Sequence, residues 1–121
     1  MKLREITIKI ESLDEMGKDF VETYEKLKKG EKVQKQEILS FENIETLRKI
    51  ITNERIRLLK LIRTRKPKTI YELAKIAKRP YSNVFKDVKK LENLGLIGLG
   101  GENHDQGPIA KYDRLKIAIP V

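Results

Sequence analysis

With no cysteine among its 121 residues, the chain can form neither disulfides nor thiolate metal sites. Histidine is almost absent too: His104 stands alone in a stretch of glycine, asparagine and aspartate, whereas zinc needs three or four ligands together. No metal and no cofactor are therefore expected. No apolar run approaches the ~20 residues that cross a bilayer, and the first residues lack the apolar centre of a signal peptide. The expectation is a cytoplasmic protein without membrane contact. None of the 7 glycines belongs to a phosphate-cradling loop, no nucleophile stands beside a histidine base, and the glutamates near the start alternate with lysines as a solvated face does. Catalysis is not expected. Internal repeats and low-complexity linkers are missing as well, and the length is about that of one domain.

Positive charge is plentiful, and it is unevenly placed. The formal net charge is +9, but from Arg48 to Lys90 there are 15 Lys/Arg against 3 Asp/Glu, a net +12. Residues 1–47 hold 9 against 11, and residues 91–121 hold 3 against 4. The first third mixes lysine with glutamate as a solvated surface does, so the middle third stands out as cation without counter-charge. Solubility alone does not require that segregation. A cationic block in a chain of pI ≈ 9.7 points to a polyanionic partner, and nucleic acid is the usual one.

Through Lys2 to Ile10, Ile6, Ile8 and Ile10 alternate with polar residues, the period of a half-buried strand with β-branched residues on its apolar side. Ser12 and Glu15 make a capping box, and Leu13, Met16, Phe20, Val21, Tyr24 and Leu27 recur at helical spacing, which predicts a helix from Leu13 to Lys29. A second strand is expected near Glu37 to Phe41, then a short helix from Glu42 to Ile50. Thr52 caps the helix Asn53 to Arg65, whose stripe is Leu58, Leu59, Leu61 and Ile62, and Pro67 ends it. Thr69-Ile70-Tyr71-Glu72 reads as another capping box, opening a helix in which Ile70, Leu73, Ala74 and Ala77 share a face. The small alanines would let another helix cross closely. Further on, Leu96 to Leu99 and Ile109 to Tyr112 read as a hairpin around the loop Gly100 to Gly107, and Leu115, Ile117 and Ile119 as a last strand.

Between these lies the stretch Pro80 to Gly95, an amphipathic helix with marked ends. Proline is favoured at a first helical position, and glycine can take the left-handed closing conformation. At about 100° per residue, Tyr81, Val84, Phe85, Val88 and Leu91 fall in one sector, the expected buried stripe. Opposite it lie Ser82, Asn83, Lys86, Lys90 and Asn93, with Arg79 continuing the line. Such a face suits the floor of a duplex groove, because lysine pairs with phosphate or guanine and asparagine can bond adenine bidentately. A solvated helix face also collects lysines; the surrounding charge block favours the groove.

Thr69-Ile70-x-Glu72-Leu73-Ala74, followed by Tyr81-Ser82-x-Val84-x-x-Asp87-Val88-x-x-Leu91-Glu92-x-Leu94-Gly95-Leu96-Ile97, resembles the winged helix-turn-helix superfamily of transcription regulators. The wording is similar to MarR-type and related archaeal and bacterial regulators. Ser40-Phe41-Glu42 through Leu47-Arg48 to Thr52, with the basic helix after it, resembles small prokaryotic DNA-binding regulators that carry a strand-helix-strand leader. The resemblance implies an α+β chain: a leader over residues 1–41, expected to dimerise, and a winged helix-turn-helix over residues 42–121, with a three-helix core and a C-terminal β-hairpin wing. It further implies that the third helix enters the major groove, that the preceding helix buttresses it, and that a homodimer meets a pseudo-palindromic site. One departure is the wing tip, Gly100 to Gly107, which carries Glu102 and Asp105 and no Lys or Arg. Phosphate would repel it, and Lys111 is the only cation nearby.

The candidate reading residues are therefore Tyr81, Ser82, Asn83, Lys86 and Lys90, with the Tyr81 ring packed inward and its hydroxyl within reach of phosphate. Arg57, Lys60, Tyr71, Lys75, Lys78 and Arg79 are candidates for phosphate contact, which positions a protein without reading sequence. Asp87 is expected to pair with Lys90 or Lys86. These residues describe a sequence-specific regulator of double-stranded DNA, expected to repress. The alternatives are an antitoxin whose leader grips a toxin, and a winged helix that serves RNA or protein assembly.

Overall fold

The computed structural model describes residues 4–31, 37–100 and 107–121. Lys2 and Leu3 of the expected first strand, and the loop residues Glu102, His104 and Asp105, lie outside them. The described chain is α+β. In order its elements are β1 (Glu5–Ile10), α1 (Leu13–Lys28), β2 (Ile38–Phe41), α2 (Ile44–Ile50), α3 (Asn53–Arg65), α4 (Ile70–Ala77), α5 (Tyr81–Asn93), β3 (Ile97–Leu99), β4 (Pro108–Ala110) and β5 (Arg114–Ala118). They form two compact units, one of Glu5–Ile50 with Arg114–Val121, the other of Ile51–Asp113 with Arg4.

The first unit holds a three-stranded sheet in the order β2-β1-β5, parallel throughout, with Ile8 opposite Leu39 on one side and Ile117 on the other. Alternation along β1 buries Ile6 and Ile8. Helix α1 starts at the expected capping box: Ser12 Oγ accepts the Glu15 N–H at 3.2 Å, and the Ser12 N–H donates to Glu15 Oε2 at 3.4 Å. Asn43 caps α2 by accepting the Thr46 N–H at 2.8 Å, so that helix starts two residues later than Glu42. Across the β1–β5 pair, Glu5 meets Lys116 at 2.8 Å and Arg114 at 3.5 Å. The hydrogen bond from Lys116 holds the Glu5 carboxyl below its ordinary value. A boundary between residues 41 and 42 does not coincide with these units, because β5 completes the sheet begun by β1 and α2 packs on β2.

In the second unit α3 keeps its expected bounds. Thr52 Oγ1 accepts the Arg55 N–H at 3.3 Å, and Lys66 turns the chain with a left-handed φ of 48° just before Pro67. At α4 the expected capping box is half made: Thr69 Oγ1 accepts the Glu72 N–H at 3.0 Å, while the Glu72 carboxylate takes the Lys68 N–H at 3.0 Å rather than that of Thr69. Pro80 stands one position earlier than expected, as an extended residue (ψ 139°) outside α5, and Gly95 closes the far end with φ 78°. Strands β3 and β4 then pair antiparallel, Ile97 opposite Ala110 and Leu99 opposite Pro108. The return strand thus begins at Pro108 and stops before Lys111, short of the expected Tyr112.

Side chains from every helix of this unit meet in one core. Leu58 and Ile62 of α3, Leu73, Ala74 and Ala77 of α4, Val84, Val88 and Leu91 of α5, and Leu96 and Ile97 are all buried. The two alanines are buried on α4, which packs on both α3 and α5, and their size permits close approach. Gly107 enters β4 against the backbone of Pro67 and Lys68, and a Cβ there would overlap those peptide groups. Among the described residues no helix is long and apolar enough to cross a membrane.

Candidate nucleic-acid interface

Helix α5 carries a different chemistry on each of its sides. Its buried stripe is narrower than expected: Val84, Val88 and Leu91 are 0% exposed, but Tyr81 and Phe85 are 47% and 40% exposed. At about 100° per residue these two rings sit beside the Val84–Val88–Leu91 line instead of on it. The Tyr81 ring therefore does not pack into the core, and Phe85 becomes surface that the sequence assigned to the interior. Opposite the stripe, Ser82, Asn83 and Lys86 are exposed and Lys90 is half-buried. No side-chain hydrogen bond or ion pair joins these four to any described residue.

One flank of α5 is an ion-pair network. Asp87 accepts from Arg55 Nε of α3 at 3.2 Å and from Arg79 of the α4–α5 turn at 2.9 Å, in place of the expected Lys90 or Lys86. Arg79 also reaches Glu54 at 3.5 Å. Arg57 meets the same Glu54 at 3.3 Å and donates to the Ala77 carbonyl at the end of α4 at 2.9 Å. Two of the six candidate phosphate contacts, Arg57 and Arg79, are thus held by partners within the unit, where they tie α3 to the α4–α5 turn. Lys60 and Lys78 are exposed, and their ammonium groups pair with no described residue. Lys78 has a left-handed backbone, φ 57°, at the point where α4 ends.

The other flank is aromatic. Tyr71 of α4 and Tyr81 have ring centroids 6.3 Å apart, and Tyr81 and Phe85 are 5.9 Å apart, so three exposed rings form a row. The Lys75 ammonium lies 4.7 Å from the Tyr71 ring centroid, a cation–π contact. A groove of about 310 Å³ runs along the row and is lined also by Thr69, Ile70, Lys89 and Leu99. Sequence reasoning named Tyr71, Lys75 and Tyr81 separately; it missed Phe85 and Lys89, and the available signal was their position at the margin of the helical sector. Rings and ammonium groups in one row can stack on planar groups and meet phosphate. Among the described residues no cluster of three or more His, Asp or Glu is placed to hold a metal.

Residues 50–117, more than half of the chain, match a family model, HVO_A0114. The match takes in every helix and strand of the second unit and leaves α1 outside. No curated protein and no solved structure matches the chain.

Proposed function

The chain belongs to the HVO_A0114 family, and we propose that this member binds double-stranded DNA as a sequence-specific transcriptional regulator, with Ile51–Asp113 as a winged helix-turn-helix. In this reading α5 enters the major groove, α4 buttresses it, and the β3–β4 hairpin is the wing. The observation that carries the proposal is the unpartnered face of α5. Ser82, Asn83, Lys86 and Lys90 point away from the core within a block of net charge +12, while Arg55, Arg57 and Arg79 beside them are bound by Asp87, Glu54 and the Ala77 carbonyl. The internal arginines fix the geometry; the outward lysines remain available for the ligand. Asn83 and Lys86 are assigned to base edges, and Lys60, Lys75, Lys78 and Tyr71 to the phosphate backbone. The loop sequence between β3 and β4 carries Glu102 and Asp105 and no Lys or Arg, so it is assigned no phosphate contact. Occupation of an operator excludes polymerase, so repression is the expected outcome.

The test is selection of bound duplexes from random DNA at fixed salt. The proposal expects enrichment of one recurring motif. Equal retention of all duplexes, or preference for single strands or folded RNA, would contradict it.

A further inference from the structure

Helix α1 follows its capping box through 16 residues without burying one of them. Leu13, Phe20, Val21, Tyr24 and Leu27 are between 57% and 73% exposed. A helix that joins two parallel strands, as α1 joins β1 to β2, ordinarily lies on their sheet and is covered there. This one presents an apolar stripe that nothing described covers. We infer that a second copy of the chain covers it, the two α1 helices packing antiparallel about a two-fold axis at Phe20.

The stripe is self-complementary in that orientation. About Phe20, Leu13 meets Leu27 of the second copy, Met16 meets Tyr24, Gly17 meets Thr23, and Phe20 meets its own equivalent. Gly17 has no heavy atom within 4 Å of where its Cβ would stand, which leaves room for a neighbouring helix to approach closely. The charges beside the stripe select the same orientation. Asp14, Glu15 and Asp19 lie in the first half of α1, and Lys26 and Lys28 in the last. Antiparallel packing about Phe20 sets Asp14 level with Lys26 of the second copy and within a turn of its Lys28, whereas parallel packing would set acid against acid and lysine against lysine. The opposing helix dipoles add to the preference. On the outer face Lys18, Glu22, Glu25 and Lys29 mix both signs, which does not suit an anionic lipid surface.

This inference does not rest on DNA binding, and its test uses none. Because the full chain has no cysteine, an introduced thiol is unique. Sedimentation is expected to find a dimer, and Phe20→Asp a monomer whose far-UV circular dichroism is unchanged, since Phe20 is 73% exposed. Under mild oxidation a mixture of Leu13→Cys and Leu27→Cys chains should cross-link. Leu13→Cys alone should not, because its two thiols would stand about 20 Å apart, 14 residues at about 1.5 Å each. Lys26→Glu with Lys28→Glu should weaken the dimer at least about tenfold, and adding Asp14→Lys should recover part of the loss. A monomeric wild-type chain, a dimer that survives Phe20→Asp, or cross-linking of Leu13→Cys with itself would each overturn the inference.

Discussion

The Asp87 carboxylate lies 2.9 Å from the Arg79 guanidinium, a bond that ties α5 back to the turn before it. Arg55 of α3 binds the other oxygen at 3.2 Å, so one carboxylate joins three segments of the unit. Both arginines and the aspartate are largely withdrawn from solvent, with 15% to 22% of their side-chain surface exposed. Replacing Asp87 by alanine removes the carboxylate that Arg55 and Arg79 share. The expected loss is about 1.5–3 kcal/mol, the range for hydrogen bonds to charged groups. Arg79→Ala should cost less, because Arg55 still holds Asp87. Urea denaturation midpoints measure both; an Asp87→Ala chain as stable as wild type would remove this carboxylate from the framework.

Gly107→Ala tests the close passage of β4 against α3's end. A methyl group there must displace the Pro67–Lys68 backbone, and overpacking of a tight site costs about 1–3 kcal/mol. Thermal unfolding should register the loss. An unchanged transition would mean that the hairpin can shift freely.

The Glu5 pair gives the sheet a dependence on pH. Its folded pKa is lowered, chiefly by the Lys116 hydrogen bond; burial opposes this, and the charges of Lys116 and Arg114 add smaller effects in the same direction as the bond. A lowered carboxylate pKa stabilises the fold above the unfolded value, about 4.3, and that contribution is lost as pH falls through the folded value. Lys116→Met should therefore be less stable than wild type at pH 7, and the two should converge in acid. A gap that stays constant down to the acid transition would contradict the pairing.

Signals carried by neighbours in sequence were the most legible. Ser12 and Glu15, Thr52 before α3, and Gly95 after α5 each lie within a few residues of the group they serve, and their positions follow from composition alone. Asp87 is the opposite case. Lys86 and Lys90 adjoin it along the helix, but Arg55 comes from 32 residues away and is brought near only by the packing of α3 on α5. The same holds for β5, which pairs with β1 from the other end of the chain. Phe85 and Tyr81 show a subtler limit: periodicity places a ring within a sector about 100° wide, while burial depends on how far the neighbouring helix extends over its margin. The position of Ser82, Asn83, Lys86 and Lys90 away from the buried stripe was legible because helical periodicity needs no knowledge of tertiary contacts.

Positioning and reading residues separate most directly in one comparison, the ratio of specific to non-specific duplex affinity at matched salt. Lys75→Ala and Lys78→Ala remove proposed phosphate contacts, so each should weaken binding alike on all sequences and lower the slope of log affinity against log salt by about 0.9. Asn83→Ala and Lys86→Ala remove proposed base contacts, each discriminating by about 1–3 kcal/mol, so affinity for the selected site should fall while binding to random duplex is largely kept. A reduced ratio is expected for Asn83→Ala and Lys86→Ala, and an unchanged ratio for Lys75→Ala and Lys78→Ala. An unchanged ratio for the α5 variants, with discrimination lost on substitution elsewhere, would contradict α5 as the reader.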